Sequence, residues 1–88
     1  MLSKKTRYSL NASLRNIKYW EAKLDAHITD ENEDMGREKW EAHYYFLFRT
    51  IDREIDELRS ELTSIESRNR CESVNNSVRY YRNKLKNR

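Results

Sequence analysis

The chain of 88 residues contains no proline, a single glycine (Gly36) and a single cysteine (Cys71). β-Sandwiches and barrels need Gly, Pro and Asn-Gly pairs at every corner, so this composition argues against them. One cysteine cannot form an intramolecular disulfide, and nothing else marks a secreted, disulfide-stapled framework. No apolar run approaches the roughly 18 residues of a membrane span, so no membrane partner is expected. The first 20 residues contain no Asp or Glu but carry Ser, Lys and Arg, as a mitochondrial transit peptide does. Removing them would delete half of a well-patterned helix, so the expectation is an intracellular, cytoplasmic protein. Asn11-Ala12-Ser13 and Asn75-Asn76-Ser77 fit the glycosylation sequon and are read as accidental in that compartment.

Charge is abundant: 38% of the residues are Asp, Glu, Lys or Arg, against roughly 25% in an ordinary globular protein. With so few breakers, this composition predicts long helices exposed along much of their length. Apolar spacing places three of them. The first spans about 6–28, with Leu10, Leu14, Ile17, Leu24 and Ile28 on one seam and Trp20 beside it. The second carries Trp40, Tyr44, Leu47, Ile51, Ile55, Leu58, Leu62 and Ile65, with a stutter at Ile51 to Ile55 that relaxes a left-handed supercoil. The third spans about 69–86 with Cys71, Val74, Val78, Tyr81 and Leu85. The predicted fold is all-α and a single domain over 1–88. It is an antiparallel up-down-up three-helix bundle, or a long helical hairpin with a short basic third helix, packed like a coiled coil.

Two breaks need placing. Asp30 with Glu33 and Asn69 with Glu72 both resemble capping boxes. The second helix therefore starts either at Asp30, swallowing Gly36, or at residue 37, with Gly36 as the break and an acidic loop before it. Charge changes with the segments. Residues 1–29 carry six Lys/Arg against two Asp/Glu, net +4; residues 30–66 carry five against twelve, net −7; residues 67–88 carry seven against one, net +6. An acidic helix between two basic ones implies internal complementarity, with Glu54, Glu61 and Glu66 facing Lys18, Arg82 and Lys84 across the seams. An echo between SLNASLRNIK (9–18) and SVNNSVRYYR (73–82) suggests that the outer helices dock alike and bring Arg15 and Arg79 together.

No constellation carries catalysis. Asp30, Asn32, Asp34 and Glu41 match positions 1, 3, 5 and 12 of an EF-hand loop, but Met35 stands where the sharp turn needs Gly. His27, His43 and Cys71 lack the short spacings of a zinc site. Asp52 and Asp56 read as a solvated face, and no phosphate loop or nucleophile setting occurs. The chain is expected to be no enzyme and to hold no metal and no cofactor.

Binding is what remains. In Tyr44 to Phe48 the second helix is apolar nearly all round and needs neighbours on every side. Either the third helix covers Phe46, or Trp40, Tyr45, Phe46 and Phe48 form a protein interface, which a homodimer would also satisfy. The expected role is a small non-catalytic adaptor or inhibitor of a protein partner, similar in kind to small helical phage proteins that block host machinery. The alternative is nucleic-acid binding by the basic ends: Lys4, Lys5, Arg7, Arg15, Arg79, Tyr80, Arg82, Lys84 and Lys86.

Overall fold

The computed structural model describes residues 2–29 and 36–86, and these form three helices and no strand. They are α1 (Lys4–Thr29), α2 (Arg37–Arg68) and α3 (Glu72–Lys86). α1 packs on α2 and α2 on α3, so the all-α reading holds. The chain runs up, down and up: His27 near the end of α1 stacks on Trp40 near the start of α2, and Arg82 of α3 reaches back to Glu66 of α2.

Local chemistry sets the helix ends. Ser3 caps α1, its Oγ accepting the Thr6 N–H at 3.1 Å and its carbonyl the Arg7 N–H at 3.0 Å. The helix consequently begins two residues earlier than apolar spacing alone indicates. Gly36 is the break before α2, with φ 77° and ψ 152°, a backbone state that an L side chain rarely enters. The capping box at Asp30 lies outside the described residues. The one at Asn69 does not form as expected. Asn69 instead closes α2, its backbone N–H donating to the Ile65 carbonyl at 3.1 Å. Cys71 stands before α3, where its carbonyl accepts the Asn75 N–H, so its side chain is exposed rather than on the seam.

The core runs along one side of α2. Leu47, Ile51, Ile55, Leu58, Leu62 and Ile65 are all buried, as their spacing predicts, together with Leu10 and Ile17 of α1 and all four seam residues of α3. Leu2, ahead of α1, joins them. The α1 seam weakens toward its end: Leu14 and Leu24 are half-buried and Ile28 is half exposed.

Length explains the loss. At 1.5 Å per residue α2 is about 48 Å long and α3 about 22 Å, in a molecule 54 Å long and 21 by 16 Å across. α3 therefore covers only half of the α1–α2 hairpin. Among the described residues, one half is a three-helix bundle and the other a two-helix hairpin that no third helix covers.

Candidate interaction surfaces

The uncovered half holds most of the aromatic side chains. Along α2 a stacked series runs from His27 of α1 through Trp40 and Tyr44 to Phe48, with ring centroids 4.7, 5.7 and 6.3 Å apart. His27 and Trp40 also bond reciprocally: the His27 Nε2 lies 2.9 Å from the Trp40 carbonyl, and the Trp40 indole N–H donates to the His27 carbonyl at 3.3 Å. Trp40 is half-buried by this arrangement and works as a clasp between α1 and α2. The other three residues singled out from the sequence are outward: Tyr45, Phe46 and Phe48 are 58, 56 and 46% exposed.

α3 does not reach Phe46. Trp20 of α1 meets it instead, edge to face at 6.4 Å. Trp20, Tyr45 and Phe46 line a groove of about 490 Å³ with Ala42, Thr50, Arg49 and Arg53. Arg49 and Arg53 lie one turn apart on α2 and form no ion pair among the described residues. Neither arginine was singled out from the sequence; packing of α1 on α2 brings both beside Trp20 of the other helix.

Around α3 the cations divide between two grooves. One, of about 300 Å³ between α1 and α3, is lined by Asn11, Arg15, Lys18, Glu21, Tyr80 and Lys84 above Leu14 and Ile17. The other, between α2 and α3, is lined by Arg59, Arg79, Arg82, Asn83, Leu85 and Lys86. Arg15 and Arg79, paired by the sequence echo, thus face different grooves. Lys4, Lys5 and Arg7 are exposed on the first turn of α1 and line neither. Lys18 and Arg59 join the grooves although the nucleic-acid reading had not included them.

Internal charge complementarity is thinner than the alternation of segments suggests. Among the described residues one ion pair joins two helices: Arg82 Nη2 to Glu66 Oε2 at 2.9 Å, with Thr63 Oγ1 accepting from the same nitrogen at 3.2 Å. Both partners are about half exposed, so the pair contributes about 0.2–1 kcal/mol. Glu54 and Glu61 are half-buried and form no ion pair among the described residues.

The fold brings His27 and His43 together, 16 positions apart in sequence, with centroids at 4.7 Å. Among the described residues no group of three His, Cys, Asp or Glu suited to a metal occurs. No described helix is long and apolar enough to cross a membrane. In comparisons with known proteins the chain matches no family model, no curated protein and no solved structure.

Proposed function

We propose that this protein is a non-catalytic interaction protein that docks a protein partner on the open aromatic half of its hairpin, as an adaptor or an inhibitor. One observation carries this reading: α3 stops halfway along α2, leaving Tyr45, Phe46 and Phe48 about half exposed on one helix. An aromatic side chain buries 150–250 Å² when enclosed, so leaving several half open on one end is costly unless something covers them. Aromatics and arginines are also the residues that anchor protein interfaces.

The surroundings describe the partner. A helix laid in the groove beside Phe46 meets an apolar wall of Trp20, Tyr45 and Phe46 and a rim of two guanidinium groups, Arg49 and Arg53, that form no ion pair among the described residues. The complementary ligand is an amphipathic helix with apolar anchors at i and i+4 and carboxylates on one flank. Capture from nuclease-treated extract, identification of the bound protein and measurement with the purified partner test this. Phe46→Ala is expected to weaken binding at least tenfold, with little dependence on salt. Arg49→Glu with Arg53→Glu is expected to slow association. A partner that binds both variants like the parent protein rules the site out. A parent protein that sediments as a dimer, and as a monomer when Phe46 is Ala, assigns the surface to a second copy instead.

A further inference from the structure

At the opposite end of the molecule, two tyrosines lie open beneath cations. Tyr8 is 70% exposed with the Arg15 guanidinium 5.9 Å from its ring centroid, and Tyr80 is 55% exposed with the Lys84 ammonium at 5.5 Å. Arg15 and Lys84 both line the groove between α1 and α3, with Lys18 beside them. Tyr8, Arg15, Lys18, Tyr80 and Lys84 therefore make one continuous track across two helices. None of its three cations forms an ion pair among the described residues.

We infer that this track binds single-stranded nucleic acid, with Tyr80 and Tyr8 as stacking platforms and Arg15, Lys18 and Lys84 on the phosphates. The site is separate from the protein-docking surface and does not rest on it. Three features select this ligand. A base stacking on Tyr80 or Tyr8 takes the ring face over which the Lys84 or Arg15 cation now lies, and the displaced cation on its flexible side chain meets the phosphate of the stacked nucleotide. A groove of about 300 Å³ floored by Leu14 and Ile17 suits one splayed base, whereas a duplex keeps its base faces stacked within itself. An acidic membrane is a poor fit, because Val74, Val78, Tyr81 and Leu85 of α3 are buried in the bundle and Tyr80 is the one large apolar side chain on its outer face, too little for the apolar stripe that membrane insertion uses. Glu21 is the one acid among the lining residues and limits the phosphates held to the side bounded by the three cations.

The test uses the full chain and fluorescein-labelled dT12, a duplex of the same length, and vesicles rich in phosphatidylserine. Binding to dT12 is expected in the micromolar range at 50 mM salt. Three phosphate contacts give a slope of about −2 in log affinity against log salt, a loss of about 20-fold between 50 and 200 mM. Tyr80→Ala is expected to lose about tenfold and Tyr80→Phe to bind like the parent; Tyr80 is exposed, so circular dichroism of the variants remains helical. Arg15→Glu with Lys84→Glu abolishes binding, while Lys39→Glu, on the first turn of α2, leaves it unchanged. Absence of dT12 binding overturns the inference. So does equal or tighter binding of the duplex or vesicles, and so does a Tyr80→Ala variant as tight as the parent.

Discussion

The Tyr81 hydroxyl donates a hydrogen bond to Asn11 Oδ1 at 3.0 Å, joining α3 to α1 across 70 positions of chain. The ring of Tyr81 is buried with Val78 and Leu85, while Asn11 is exposed. One side chain thus fills the core and fixes where the third helix meets the first.

Removing only the hydroxyl separates these roles. Tyr81→Phe is expected to cost about 0.5–1.5 kcal/mol, since water reaches Asn11 in its place. Tyr81→Ala also empties the core and is expected to cost about 3–5 kcal/mol. Urea unfolding of both variants checks the difference; equal losses would show that the hydroxyl, not the ring, holds α3.

The two halves of the hairpin should respond differently to truncation. Leu62 is fully buried in the three-helix half, so Leu62→Ala is expected to cost about 2–5 kcal/mol. Phe46, more than half exposed, is expected to cost less than about 1 kcal/mol when changed to Ala, since exposed positions contribute little. A Phe46→Ala protein as unstable as Leu62→Ala would mean that the aromatic end is core.

Gly36 has open space around the position of a Cβ but φ +77°. Gly36→Ala is therefore expected to destabilise through backbone strain alone, by about 1–3 kcal/mol. Substitution by D-alanine in a synthetic chain, which accepts positive φ, is expected to restore stability.

Asn75 is half-buried, and its Oδ1 is enclosed without a hydrogen bond. Asn75→Ala removes an unsatisfied acceptor and adds helix propensity, so a gain of about 0.5–2 kcal/mol is expected. A loss on thermal unfolding would contradict this account.

The Cys71 thiol lies at the start of α3, where the Val74 and then the Ser73 backbone N–H groups favour its thiolate and hold its pKa below the ordinary thiol value. Because the folded value is the lower one, the thiolate contributes stability above the unfolded thiol pKa, and that contribution fades as pH falls through the folded value. Iodoacetamide labelling against pH is expected to show an earlier midpoint for native protein than for protein in urea. Coincident midpoints would remove the effect.

Much of this was readable from the residues in order. The seam from Leu47 to Ile65 and the four buried positions of α3 follow from steps of three and four, because a helix puts such residues on one face whatever it packs against. Cys71 broke the pattern because a helix end is set by its backbone bonds, and Ser3 extended α1 for the same reason. The aromatic surface was legible as a surplus of rings, but not which of them stay free. Trp40 became a clasp through His27, 13 positions away, and Trp20 supplied a wall from the other helix. The basic patch was legible as charge but not as grooves: Arg82 is held by Glu66, and Lys18 and Arg59 entered through packing.

By itself the sequence determined helicity, the three segments and the stripe each one buries, since these depend on local propensity and on a period of 3.6 residues. Tertiary structure alone decided that Trp40 turns inward as a clasp, that Phe46 stays in the open, and that Arg15 and Arg79 part company. Those outcomes depend on which helices lie side by side at each level of the bundle, and that is set by contacts between residues far apart in the chain.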